Sequence, residues 1–468
     1  MSTTIPQVAA AAERPDGLPT PRRYAAVVAV SLGTIVTSVD SGIVNIALPT
    51  LARELHVQPS AAVVVITVYQ LVLLMTLLPF SALSQRLGHR ATFQLGLSVF
   101  AAATVLCFLA RTLPALVLVR SLQALGAAAV LSVISALIRR IYPLSRLGRG
   151  LSFNTVIAAS AASAAPIVGG AILAVASWPW LFAAVAPFGV LSILVARKYL
   201  PAGQRHNDSF DVFGAMMCAA MFGLGVLGLE SAVHADAPVI SAALVALSVA
   251  LGVVFVRREL GQSHPVLPVD LLRLKNIALP CIGSLAAYIG MTILMVSLPF
   301  RLQEQFNFTA AAAGAVLAPL PLVSVVVAPT SGLLSDRVPA GVLGAIGMAF
   351  GFAGMICLAF LPASPQRIDI LWRVAICGLG FGMFFSPNAR QIVGAAPAAR
   401  AAAAGALFST IRGAGQTLGA TMIATLLALG RGTNPTPALV AAALALIAGL
   451  CSLAVLSSDG RQLQAAKN

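Results

Sequence analysis

Asp40 is a carboxylate in the middle of an apolar run from Ala25 to Leu48, and a carboxylate in that place does one kind of chemistry well, the binding and release of a proton. Ionisable groups in hydrocarbon are expensive, rare and commonly functional. A helix of about 24 residues rises about 36 Å, so the centre of this one lies within a bilayer unless a water-filled cavity meets it. Asp40 therefore predicts a cavity. Burial disfavours the charged form and prepares the carboxyl for proton exchange, while the anion left after release would attract a cationic substrate. Thr34, Thr37, Ser38, Ser41 and Asn45 fall on an arc adjoining Asp40 at helical spacing. They either line the same wet face or, for the hydroxyls, bond back to the carbonyls of their own helix.

Cations lie in similar runs. Arg120 has Gln123 one turn later on the same face, and a buried guanidinium needs a partner. Asp40 is the candidate by shortage, because the only other acids near the outer half of the membrane are Glu230 and Glu304. The alternative is that Arg120 bonds backbone carbonyls and holds helix packing. Arg412, with Ser409 and Gln416, makes a second polar stripe that could orient substrate or balance charge, and Arg373 lies nearer a membrane face. Glu230 and Glu304 are secondary acidic sites at most; Glu304 follows Arg301 by one turn, the spacing of a surface ion pair. The five histidines are predicted in loops and offer no buried proton switch. Six cysteines sit inside apolar runs without a CxxC pair or a Cys/His cluster, so they read as core residues, with no disulfide or metal site.

A chain with 59% hydrophobic residues, 9% charged residues and a mean hydropathy of +0.96 has too little polar surface to coat a soluble globule. Hydropathy predicts fourteen spans, at 25–48, 61–83, 91–110, 114–138, 151–176, 181–196, 212–233, 238–256, 277–300, 311–334, 341–362, 369–389, 403–429 and 436–457. The net charge of +15 does not point to nucleic acid, because the Lys and Arg residues lie in short clusters between spans, where anionic lipid is their partner. With the N terminus inside, 21 Lys and Arg fall on the cytoplasmic side and 5 on the other, which places both termini in the cytoplasm. The first 23 residues lack the order of a cleavable signal, so the first span is expected to direct insertion.

An internal repeat organises the spans. Ser81 to Arg86 aligns with Gly332 to Arg337 at a shift of 251, Leu118 to Arg120 with Leu371 to Arg373 at 253, and Phe153 to Thr155 with Phe408 to Thr410 at 255. The near-constant offset implies two six-helix halves separated by a helix pair, with a binding site near the midplane where the halves meet. The expected fold class is an all-α polytopic membrane protein of fourteen transmembrane helices, six plus two plus six. Its expected parts are a tail at 1–24, a six-helix bundle at 25–198, an inserted pair with its linkers at 199–276, a second bundle at 277–457 and a tail at 458–468.

Over nearly its whole length the chain resembles the fourteen-helix drug:proton antiporters of the major facilitator superfamily. The run Asp40-Ser41-Gly42-Ile43-Val44-Asn45-Ile46-Ala47-Leu48-Pro49 is similar to that family's first-span signature, Arg120 to Gly126 to its fourth-span motif, and Ala165-Pro166-Ile167-Val168-Gly169-Gly170 to its antiport motif. Gly380 to Asn388 and Arg412 to Gly419 are similar to family patterns in the twelfth and thirteenth spans. The resemblance implies gating roles for Arg86, Gly88 and Arg90 after the second span, for Asp336 and Arg337 in the second half, and for Pro166, Gly169 and Gly170, whose bend would seal the cytoplasmic side against proton leak. Close packing by small residues is the plainer reading of that bend. The chain departs from the family at Ser81 and Gln85, where Gly and Asp are expected, so the charge latch of the first half is weakened and gating falls to the second. Ala124 and Ala165 replace glycines, Val64 stands where Trp is common, and no carboxylate lies between Ala403 and Leu429.

These residues lead to the expectation of a proton-coupled exporter of amphipathic, cationic drugs or antiseptics. It would work as a monomer in a bacterial-type inner membrane, without cofactor or metal. Asp40 and Arg120 would couple protons, and Thr37, Ser41, Asn45, Gln123, Arg412 and Gln416 would line the substrate cavity. There is no GxxxxGK[ST] phosphate loop and no nucleophile–base set, which excludes an ATP-driven pump or an intramembrane enzyme. A dedicated exporter of one metabolite or antibiotic is the rival reading, and a non-transporting receptor or scaffold a remote one.

Overall fold

The computed structural model describes residues 17–143, 146–201, 211–234, 238–262, 267–335, 337–397 and 400–465. Among them are sixteen α-helices and no strand. The first seven are α1 (Thr20–Glu54), α2 (Pro59–Leu87), α3 (His89–Leu109), α4 (Leu113–Ile141), α5 (Leu147–Val175), α6 (Pro179–Ala183) and α7 (Ala186–Tyr199). A pair follows, α8 (Val212–His234) and α9 (Pro238–Glu259). The last seven are α10 (Lys275–Phe300), α11 (Ala310–Leu317), α12 (Pro319–Leu334), α13 (Ala340–Ala359), α14 (Arg367–Gly394), α15 (Ala401–Ala428) and α16 (Thr436–Ala465).

Thirteen helical stretches are long and apolar enough to cross a membrane, counting α6 with α7 and α11 with α12 as one each. The 28-residue α15, with Arg412 and Gln416 in its middle, completes the fourteen. Two of the crossings are broken for local reasons. α11 stops at Ala318, where Pro319 and Pro321 follow and each removes a backbone donor. Between α6 and α7 the chain turns at Ala184 and Val185, just before Pro187. α1 runs for 35 residues and overshoots the hydrocarbon at both ends, because its flanks meet water where a helix can continue without cost.

The packing repeats along the chain. α1 pairs with α5 and α2 with α4; correspondingly, α10 pairs with α15 and α12 with α14. α8 and α9 pack on each other, and α8 also touches both α2 and α15, so the inserted pair lies against the seam between the two sets.

That seam is closed at the outer end, the side away from the described termini. One buried cluster there joins Ile43, Ala47 and Leu51 of α1 and Val63 of α2 to Val296 and Phe300 of α10 and Ile423 of α15. At the other end the buried clusters separate. One lies wholly within α1–α7, around Phe93, Leu97 and Val133. The other lies around Phe255, Ile277 and Ile392 and takes only Leu78 from the first set.

Candidate functional site

Asp40 is the twenty-first residue of α1, about 30 Å along the helix at 1.5 Å per residue. Arg120 is in the third turn of α4, counted from its outer end. The antiparallel pass of α1 against α4 brings them together: the Arg120 Nη1 donates to Asp40 Oδ2 at 2.8 Å, with both side chains 1% exposed or less. Gln123 completes a three-membered ring, accepting from Arg120 Nη1 at 2.6 Å and donating from Nε2 to Asp40 Oδ1 at 3.0 Å. Its Nε2 also donates to Thr104 Oγ1 of α3 at 2.9 Å, and the Cys107 thiol lies 3.7 Å from its Oε1. The Arg120 guanidinium is stacked over Tyr69 of α2, 4.2 Å from the ring centre, with Phe182 at 5.5 Å on another side.

This arrangement corrects two expectations. Asp40 does not face a cavity: it is enclosed at 0% exposure, because a guanidinium and an amide replace the water that a buried carboxylate would otherwise need. Gln123 is no cavity-lining group either; at 0% exposure it spends its amide on the ion pair. Two polar atoms of the cluster, Arg120 Nε and the Tyr69 hydroxyl, have no hydrogen-bond partner among the described residues. A cavity of 370 Å³ does exist elsewhere, at the cytoplasmic ends of α10, α14 and α16, lined by Asn276, Arg390 and Gln391.

The other polar groups of α1 divide. Thr37 is buried and donates to the carbonyls of Gly33 and Thr34, the self-bonding alternative, so it lines nothing. Thr34 donates to Asn154 Oδ1 at 2.8 Å and ties α1 to α5. Ser41 and Asn45 are half-buried, and Asn45 Oδ1 lacks a partner among the described residues.

In the second set, Arg412 is exposed at mid-helix and Gln416, one turn on, is half-buried. Around them is a group of rings that the sequence reading missed. Tyr288 of α10 stacks on Phe385 of α14 at 4.2 Å, Phe381 lies nearly parallel to Phe385 at 5.6 Å, and Phe408 of α15 is 6.2 Å from Tyr288. The i, i+4 pair Phe381 and Phe385 was a readable signal, but only on one of the three helices. Asn388, in the same motif, donates to Pro280 O at 2.9 Å and Ser284 Oγ at 2.6 Å and fixes α14 against α10.

Of the gating residues, Gly88 joins α2 to α3 at φ +90°, a conformation other residues rarely adopt. Arg86 is exposed beside it. Arg90 donates to the carbonyls of Leu200 at 3.1 Å and Arg197, so it holds the cytoplasmic end of α7. In the second half Arg390 donates to Gly332 O at 3.1 Å and Ser335 Oγ at 2.9 Å, beside Arg337; Asp336 lies outside the described residues. Pro166, Gly169 and Gly170 occupy the outer half of α5, not the cytoplasmic side, which corrects the seal expected there. A Cβ on Gly314 of α11 would come 2.2 Å from Pro166 O, and one on Gly170 2.9 Å from Ala310 O, so these residues let α5 and α11 meet backbone to backbone.

The two secondary acids stay apart from the ring. Glu230 belongs to α8, which packs on α2, α9 and α15. Glu304 does not pair with Arg301; that guanidinium donates instead to Leu358 O at 2.7 Å and Ala359 O at 3.2 Å, capping the end of α13.

The family profile described as Major Facilitator Superfamily matches residues 30–420. The uncharacterized transporter YebQ of Escherichia coli K12 is 38% identical over 438 residues, covering 93% of this chain and 96% of its own length. The riboflavin transporter RibZ of Clostridioides difficile is 26% identical, with 85% and 87% covered, and the multidrug export protein EmrB of Haemophilus influenzae is 26% identical, with 82% and 76% covered. A crystal structure of the peptide transporter POT with sulfate superposes at a TM-score of 0.72, with 17% identity over 94% of this chain and 95% of that one, a likeness of fold alone. By the profile that spans both sets of helices and by near-complete coverage of a 38% identical relative, the chain belongs to the Major Facilitator Superfamily and is a transporter, not an enzyme.

Proposed function

We propose that the protein is a proton-coupled exporter of amphipathic small molecules, working by alternating access, with Asp40 as its proton site and Arg120 as the counter-charge. The observation that carries this reading is the closed ring of Asp40, Arg120 and Gln123 between α1 and α4. Ionised, Asp40 neutralises a guanidinium that is otherwise stranded in a dry site. Protonated, it withdraws that charge and leaves Arg120 buried and uncompensated, a state the packing tolerates poorly. Protonation therefore favours separation of α1 from α4, and re-formation of the pair expels the proton. A proton gradient suffices to drive the cycle, without a cofactor, in a monomer in the cytoplasmic membrane.

The outer seal made by α1, α2, α10 and α15 suits a state that takes substrate from the cytoplasmic side. EmrB supports export of several compounds, while RibZ supports the second reading, a carrier dedicated to one metabolite.

The test is substrate-driven proton movement in proteoliposomes, with ethidium-like cations, neutral antibiotics and acidic aromatics offered in turn. Proton release by the native chain that disappears in Asp40→Asn supports the proposal. Full coupled flux in that variant would remove Asp40 as the proton site.

A further inference from the structure

Arg412 lies in the middle of α15, twelve residues from its cytoplasmic end, exposed and without a hydrogen bond or ion pair among the described residues. The direction it faces follows from its neighbours. A Cβ on Gly413 would meet Leu74 of α2 at 3.0 Å, and one on Gly415 would meet Tyr288 of α10 at 2.6 Å. At the helical period Arg412 falls on the arc between those two contacts, and so does Gly405, where an added Cβ would meet nothing within 4 Å. That arc points to the space between the two sets of helices. A guanidinium at this depth is stable facing such a space and is not stable facing lipid.

Among the described residues no carboxylate is paired with it. Asp40 is committed to Arg120 and Gln123, Glu230 is on α8, and Glu304 is beyond the outer end of α10. α2 and α15 carry no acid, and the acid of α14 is Asp369 in its first, outer turn. Beside Arg412 stand the half-buried rings of Phe408, one turn earlier on α15, and Phe385, stacked on Tyr288 with an interplanar angle of 18°. Flat apolar faces next to an uncompensated cation suit a flat apolar ligand carrying an anion.

We infer that the space between the two sets of helices at Arg412 binds planar aromatic molecules bearing a carboxylate or an equivalent acidic group, which stack on Phe385 and Phe408 and pair with Arg412. The inference rests on the export reading above and deepens it, and it replaces the cationic substrate expected from Asp40, whose charge is used internally. Gln416, half-buried on the same arc, is placed to hydrogen-bond the acidic group.

The experiment measures equilibrium binding of three tricyclic probes to the protein in nanodiscs, with protein-free nanodiscs correcting for partition into lipid. The probes are anthracene-9-carboxylate, anthracene-9-carboxamide and an anthracenylmethyl trimethylammonium. The carboxylate is expected to bind about tenfold tighter than the other two, the gain of one charge-assisted pair. Arg412→Gln should abolish that difference, Arg412→Lys should keep most of it, and Phe385→Leu should weaken all three by about three- to tenfold through lost stacking. Equal or tighter binding of the ammonium, a carboxylate preference that survives Arg412→Gln, or no binding of any probe would overturn the inference. Binding in nanodiscs needs no proton gradient. Failure here with Asp40-dependent proton flux intact removes only the substrate class, and loss of that flux with carboxylate binding intact removes only the coupling.

Discussion

At Asp40 the cost of burying a charge is met by two neighbours at once, and the same physics predicts how the cluster fails. Removing one member of a buried pair strands the other and costs about 3–5 kcal/mol, whereas removing both costs far less. Arg120→Met is therefore expected to lower the thermal midpoint and the membrane yield sharply, and Asp40→Asn combined with Arg120→Met to recover most of the loss. A thermal-melt series on the four proteins of the double-mutant cycle checks this; a double variant destabilised by the sum of the two single effects would mean that the two charges are not coupled. Asp40 and Arg120 were legible in the sequence because each is a charge in an apolar run, and shortage of alternatives already pointed each at the other. Tyr69, Thr104 and Cys107, which complete the surroundings of the ring, were not legible. Each is an ordinary residue of its own helix and gains significance only from what stands opposite.

Single helices are tuned by contacts that leave little room. The Gly314 approach to Pro166 O predicts that Gly314→Ala forces α5 and α11 apart at the outer seal, at an overpacking cost of about 1–3 kcal/mol. A Cβ on Gly394 of α14 would meet nothing within 4 Å, so Gly394→Ala should leave both stability and transport unchanged. Comparing melts and flux for the two variants tests the contact, and equal behaviour would refute it. On the cytoplasmic side the short segment before α10 is pinned to the start of α15 by a two-point ion pair between Asp270 and Arg400. Arg400 holds the Asp270 carboxyl below the usual carboxylate range, and Arg258 does the same for Asp211 at the start of α8. A carboxyl whose folded value is depressed contributes stability above its unfolded value, near pH 4, and loses that contribution as pH falls through the depressed value. The gap in melting temperature between the native chain and Asp270→Asn should thus be open at neutral pH and close as the pH is taken below about 4. A gap independent of pH would mean that the pair carries no stability of its own.

Across the two sets of helices, the outer seal and the separated cytoplasmic clusters describe one end of a transport cycle. Gln303, just past α10, donates to Ile46 O of α1 at 3.1 Å, a polar bond across the seal. Gln303→Ala should shift the population towards the outward-open state. It should therefore raise labelling of Asn45→Cys by an impermeant maleimide added outside, from near background to several-fold above it. Unchanged labelling would place the seal's stability in its apolar cluster alone. The inserted pair belongs to this scale too. α8 touches α2 and α15 together, so any motion of the two sets has to slide past it.

Composition and the periodic spacing of apolar residues were enough for a membrane chain of fourteen crossings, because burial in lipid is a demand made on each segment separately. The proton-site candidate followed in the same way, since one carboxylate in 24 apolar residues stands out without reference to any neighbour. Other features depended on partners. Spacing left Thr37 between a wet face and a bond to its own helix, and packing chose the second; Gln123, expected to line the cavity, was enclosed with the ion pair. The resemblance implied that the α5 bend seals the cytoplasmic side, and the contact with α11 put it at the outer one. The ring group of Tyr288, Phe385 and Phe408 comes from three helices more than a hundred residues apart in their extremes. Which side chains meet across such separations is decided by how the helices cross, and that choice leaves no periodic trace in any one of them.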